Sequence, residues 1–148
     1  DILTTAKKNY IVNTLLPNAA SFLSEALNVV PVSGNLTLSG TRCGSTPGVV
    51  IPSSHISPGI PNTDFVMYVA ANPQTVTSST VAFASTCLRD QNGRPIAGMI
   101  NFIPSALTNA DSPITSTTAL DTNTAIHETC HALGFTSPFF STYGYLNA

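Results

Sequence analysis

One helix constrains this chain more than any other segment. Residues 118–133 carry helical spacing and stop at Gly134, a natural left-handed cap. Inside that helix runs His127-Glu128-Thr129-Cys130-His131. Residues four apart share one helical face, with β-carbons about 6 Å apart. Two imidazoles so placed can converge on one metal at the ~2.0–2.1 Å of a Zn–N bond. Glu128 sits about 100° round from His127, at the flank of that face and so beside the metal rather than on it.

This is the H-E-x-x-H arrangement of zinc proteases, in which the carboxylate takes a proton from water that the zinc acidifies. The chain holds only three His and two Glu, and most of them gather on this one helix. The bland reading, two solvated histidines on an exposed face, needs no such gathering. On a helical wheel Ala119, Ile126, Cys130 and Leu133 fall within about 60° of one another, which predicts a buried stripe with the His pair on the next stripe over. That placement makes Cys130 a small core hydrophobe rather than a ligand or redox thiol. Three cysteines are an odd count, compatible with one disulfide and one free thiol or with none. If Cys130 is core, Cys43 and Cys87 remain to pair; their loop and strand-end positions permit it, though sequence does not fix the distance.

The rest of the chain predicts helix, several strands, helix. Residues 3–28 read as helix, from Ile11, Leu15, Ala19, Phe22, Leu23, Ala26 and Leu27, with Pro17 kinking or restarting it. A short strand is expected at 35–38, and 49–51 is apolar and β-branched. The run 65–71 is the best candidate for a buried strand, 81–87 alternates with Val81, Phe83 and Ser85 on one side, and 96–103 is another strand. Asp90-Gln91-Asn92-Gly93 is a turn. Residues 52–61 and 104–117 are loops, and the aromatic stretch from Phe139 to Tyr145 is irregular. The result is an α+β chain with one sheet flanked by two long helices.

Composition excludes some functions. Five basic and seven acidic residues give 8% charge and a net charge of −2, which excludes an electrostatic nucleic-acid binder. No apolar run approaches 18 residues, so no transmembrane segment is expected. No charged-then-apolar leader stands at Asp1. Ser and Thr make up roughly a quarter of the chain, an extracellular look. Asn35-Leu36-Thr37 is an N-glycosylation acceptor.

His131 is followed by Ala132-Leu133-Gly134-Phe135, as in metzincins, where the Gly turns the chain towards a third zinc ligand. The usual place of that ligand is here Ser137, a poor one. The sequence resembles the leishmanolysin and invadolysin family, in which the third His comes much later. The resemblance rests on Asp1-Ile2-Leu3-Thr4 and Leu16-Pro17, on Cys43-Gly44, Val50-Ile51-Pro52 and His55-Ile56. It also rests on Asn62-Thr63-Asp64-Phe65-Val66-Met67-Tyr68-Val69-Ala70, Thr86-Cys87, and the segments from His131 to Phe140. It spans nearly the whole chain.

The resemblance implies the N-terminal subdomain of a metzincin, a twisted mixed sheet with the active-site helix under the cleft. It implies a zinc (Zn2+) endopeptidase with His127 and His131 as ligands and Glu128 as general base. It implies a Cys43–Cys87 disulfide, and a substrate strand added antiparallel to an edge strand at 80–86, through Val81, Phe83 and Ser85. It places the protein outside the cell or at its surface. Residues 1–148 are then part of a catalytic domain. The third ligand and the Met-turn are expected from the rest of the polypeptide or from a second chain, because Met67 and Met99 both precede the motif. Any lipid anchor is expected beyond Ala148. His55 matches a family His that is not a ligand and is expected to be hydrogen-bonded. The alternative is a non-catalytic adhesive or structural surface glycoprotein on the same fold.

Overall fold

The computed structural model describes residues 2–44, 48–73, 80–107 and 116–140. Tyr143 and Tyr145 and much of the loop expected at 104–117 lie outside them.

The first long helix forms in three pieces: α1 (Thr5–Tyr10), a π-helical turn (Ile11–Leu15) and α2 (Leu16–Ala26). Thr4 starts it, accepting the Lys7 N–H on its side-chain oxygen. The π turn accommodates Pro17. Leu16 N–H reaches back five residues to Ile11 O, and the α-helix restarts with the proline in its first turn, where no N–H is needed. Ile11, Leu15 and Ala19 are buried, but Phe22 and Leu27 are exposed, so the apolar stripe outruns its cover.

Two sheets follow. β1 (Arg42–Cys43) pairs antiparallel with β2 (Val49–Val50). The short helix α3 (Ser53–Ile56) stands where a loop was expected. The larger sheet is mixed, in the order β3-β5-β4. β3 (Val66–Ala70) runs parallel to β5 (Pro95–Phe102), and β4 (Ala82–Arg89) antiparallel to it. The hairpin between β4 and β5 turns on Asp90, whose Oδ1 accepts the N–H groups of Asn92 and Arg94.

Three further expectations change. Residues 35–38 form no strand; Leu36 makes a single bridge to Ile60. The buried strand is β5, closed in along its whole length, while the more apolar-looking β3 is an edge. A strand paired on both sides is covered whatever its own sequence. Val81 and Phe83 also part company: Val81 packs with the helix-side cluster, Phe83 with the opposite one, and Ser85 is exposed.

One cluster joins Ile11, Leu15 and Ala19 to Ile100, Phe102, Leu107 and Ala125, so both long helices cover the same face of the sheet. On the other face Leu36, Leu38, Ile51, Tyr68 and Met99 pack around Cys43. Cys43 is bonded to Cys87, with Cα atoms 5.1 Å apart, which ties β1 to the edge strand β4. Among the described residues, no helix is long and apolar enough to cross a membrane.

Candidate metal centre

The second long helix, α4 (Ser116–Ala132), lies across β4 and β5 and against α2. Among its described residues the buried positions are Asp121, Ala125 and Ala132, spaced to form one stripe. This corrects the stripe read from Ala119, Ile126, Cys130 and Leu133. Ala119 is exposed, and the other three are half-buried. The reason is close approach. A β-carbon on Gly98 of β5 would lie 2.7 Å from the Ala132 β-carbon, so the helix can press on the sheet only through small residues. Asp121, 6% exposed, is kept satisfied by the Tyr10 hydroxyl, which donates to its Oδ2 at 2.9 Å.

Helical geometry turns Glu128 to the edge of that inner stripe and the histidines to the next face. His127 is exposed, and Glu128 and His131 are half-buried. The two Nε2 atoms stand 3.1 Å apart, with the rings edge-to-face. One donor atom from each of His127, Glu128 and His131 lies within 4.8 Å of the others. Two nitrogens bound to one zinc at ~2.0–2.1 Å in tetrahedral geometry would be about 3.3–3.4 Å apart. The pair therefore fits a zinc ion with little adjustment.

The helix end sets the chemistry of His131. Gly134, at φ 99°, closes a Schellman turn in which its N–H bonds His131 O and the Phe135 N–H bonds Cys130 O. That turn carries the Phe135 carbonyl back to His131 Nδ1, at 2.8 Å. A carbonyl can only accept, so Nδ1 bears the proton and Nε2 keeps its lone pair for a metal.

Glu128 is held differently. Burial pushes its carboxyl above the ordinary glutamate range, against the opposing pull of His131, His127 and a hydrogen bond from the Ala84 backbone. β4 is thus in register with the carboxylate. Thr86 adds a second tie, its hydroxyl donating to Ala132 O at 2.9 Å. The sequence places Ala84 and Thr86 in the edge strand 80–86 and Phe135 at the helix end but shows no tie to the site for any of them, because two of them act through main-chain atoms, which leave no mark on residue type.

The other predicted positions lie elsewhere. His55 is outside the cluster and shares a 2.7 Å hydrogen bond with Tyr68 Oη, through Nδ1. Cys130 is a free, half-buried thiol whose pKa burial raises, and it does not join the converging donors. Asn35 is exposed, its side-chain amide donating to Pro58 O.

The half-exposed His-Glu-His cluster, on a helix laid over a mixed sheet, brings together three side chains that could hold a metal ion. A family profile described as Leishmanolysin matches residues 1–148. The chain is 40% identical to leishmanolysin of Leishmania major over 143 residues, which cover 95% of this chain and 22% of that protein. A leishmanolysin homolog of Crithidia fasciculata is 32% identical, over 97% of this chain and 21% of its own. A leishmanolysin-like peptidase of Caenorhabditis elegans is 29% identical, over 90% and 26% respectively. The chain belongs to the leishmanolysin family of metallopeptidases. It spans about a fifth to a quarter of the length of these curated relatives.

Proposed function

We propose that this chain is the N-terminal part of the catalytic domain of a zinc endopeptidase that hydrolyses peptide bonds in proteins. The observation that carries the reading is the 3.1 Å approach of the two Nε2 atoms with the Glu128 carboxylate beside them. His127 and His131 hold the zinc. The third ligand comes from the rest of the polypeptide or a second chain. When bound, zinc supplies Lewis acidity to the scissile carbonyl and to water. Glu128 takes the proton of the attacking water and passes it to the leaving amine. Its partly desolvated carboxyl suits a group that must both accept and release a proton.

The substrate adds as a strand to the free edge of β4, along 80–86, with Val81, Phe83 and Ser85 in the contacting segment. Among the described strands β4 pairs only with β5, and its Ala84 backbone already meets Glu128. An extracellular or cell-surface location is supported by the disulfide, the sparse charge and the exposed acceptor Asn35.

The test is proteolysis by the full-length protein. Glu128→Ala should lower turnover by ~10²–10⁴-fold. Proteolysis left intact in a clean preparation of that variant would remove Glu128 as the base, and a parent protein that cleaves nothing would leave the adhesive or structural surface protein as the better reading.

A further inference from the structure

A groove of about 1020 Å³ lies between the segment that follows α2 and the turn joining β4 to β5. Val29, Val30, Asn35 and Thr37 line it from the first side, Gln91 and Asn92 from the second. Arg94 ties the two sides together: its Nη1 donates to Val30 O at 2.6 Å, and its Nη2 stands 3.6 Å from Asp64 Oδ1. His127, Glu128 and His131 take no part in the lining. The volume matches the upper end of the ~300–1,000 Å³ usual for small-ligand sites.

Asn35, the acceptor of Asn35-Leu36-Thr37, has a rigid setting in this wall. Side chains alternate along 35–38: Leu36 and Leu38 are buried, Asn35 and Thr37 exposed. Leu36 and Ile60 exchange both backbone hydrogen bonds at 2.9 Å. Asn35 Nδ2 donates to Pro58 O at 3.1 Å. A β-carbon on Gly59 would lie 3.2 Å from Asn35 Cβ and 2.9 Å from Thr37 Cγ2, so both side chains pack closely at their base. The acceptor amide is thus held in place before anything is attached to it, which lowers the ordering cost of what it carries.

We propose that this groove seats the two N-acetylglucosamine units at the root of an N-glycan carried by Asn35. The inference rests on the proposed extracellular reading. Attachment joins C1 of the first sugar to Nδ2. One amide proton leaves, the lipid pyrophosphate that carried the oligosaccharide departs, and the second amide proton remains to serve Pro58 O. Such sugars present apolar ring faces and an acetamide methyl beside hydroxyls and an amide. The groove offers partners for both. Val29 and Val30 are 53% and 81% exposed, apolar surface that a ring face can cover. Gln91 and Asn92 are exposed, and each side-chain amide offers two donors and an acceptor to sugar hydroxyls. Each contact is weak, but the covalent link raises the effective concentration of the sugars to about the millimolar range, so weak contacts suffice.

The experiment uses the full-length protein secreted from a eukaryotic host that leaves oligomannose chains. An endoglycosidase that cuts between the two N-acetylglucosamines reads access to the root. A seated root must leave the groove before it is cut, so Gln91→Ala with Asn92→Ala should speed trimming of the native protein at Asn35 by about tenfold. Hydrogen exchange is the second measurement. Residues 29–39 and 89–94 should exchange about threefold or more slowly in the glycosylated protein than in Thr37→Val, and the Gln91 and Asn92 substitutions should erase that difference. Thr37→Val removes the acceptor hydroxyl but keeps the methyl against Gly59 and the Asn35–Pro58 bond. Equal exchange with and without the glycan overturns the proposal. If it is slow in both, another part of the polypeptide fills the groove; if fast in both, the glycan projects into solvent. Secretion with Asn35 bare sinks the seat and spares the extracellular reading. A protein kept in the cytosol of its own cells sinks both.

Discussion

Gly98 of β5 and Ala132 of α4 meet so closely that a β-carbon on the glycine would stand 2.7 Å from the alanine β-carbon. The same added carbon would lie 2.9 Å from Phe65 Cζ and 3.1 Å from Ser85 O. The distance between the sheet and the helix that carries His127 and His131 is therefore set by the absence of one side chain. Gly98→Ala should destabilise the protein by ~1–3 kcal/mol through overpacking. Denaturant titration of the full-length protein measures it. Adding Ala132→Gly should recover only part of the loss, because Phe65 and Ser85 still obstruct the new carbon and glycine weakens the helix by ~1 kcal/mol.

Metal binding and proton transfer should separate by mutation. His131→Ala is expected to remove zinc from the purified protein and to abolish cleavage. Glu128→Gln should keep the zinc, read by elemental analysis, while losing ~10²–10⁴-fold in turnover. Loss of zinc from the Glu128→Gln protein would assign Glu128 to the ligand set instead.

Gly134→Ala tests the hydrogen bond that fixes the His131 tautomer. The left-handed conformation costs a residue with a β-carbon ~1–2 kcal/mol, so the turn should loosen and draw the Phe135 carbonyl away from Nδ1. Zinc affinity should fall about 10–100-fold, the range seen when a ligand histidine loses its outer partner. Competition with a chromophoric chelator reads that change directly.

Cys43→Ser should cost ~2–5 kcal/mol, the range for removing a native disulfide from a small secreted domain. Cys43 is fully buried in the cluster beneath β4, so a hydroxyl there also lacks an apolar fit. The double variant Cys43→Ala with Cys87→Ala should be less damaging than Cys43→Ser alone. Thermal melts with and without reductant check both statements.

Asn35 should carry an N-linked glycan when the full-length protein passes through a eukaryotic secretory route. The expected sign is a drop in apparent mass after treatment with an amidase that releases such glycans, and no drop for Asn35→Gln. A parent protein whose mass does not respond would remove Asn35 from the account.

Local signals in the sequence survived folding well. The H-E-x-x-H helix, its stop at Gly134, the turn at Asp90 and the restart at Pro17 each depend on residues within one or two helical turns. What depended on tertiary cover was less legible. β3 looks more buried than β5 because its residues are more apolar, yet burial follows from having neighbours on both sides. The inner face of α4 was misread because Asp121 is polar and Ala125 and Ala132 are small. Burial of Asp121 required knowing that Tyr10, far away in the chain, supplies a hydroxyl. The backbone roles of Ala84 and Phe135 were illegible for a simpler reason, since any residue offers the same backbone atoms.

The tie between His131 and the Phe135 carbonyl has a consequence for the order in which the site comes into being. His127, Glu128, His131, Gly134 and Phe135 fall within nine consecutive residues, and the strands that brace them all come earlier in the chain. Contacts between residues close in sequence cost little loop-closure entropy and form early. The approach of the two imidazoles, their protonation pattern and the register of Glu128 with β4 thus rest on contacts among residues up to Phe135. On the proposed reading, a third ligand docks at a pair of imidazoles whose spacing and protonation these contacts already set.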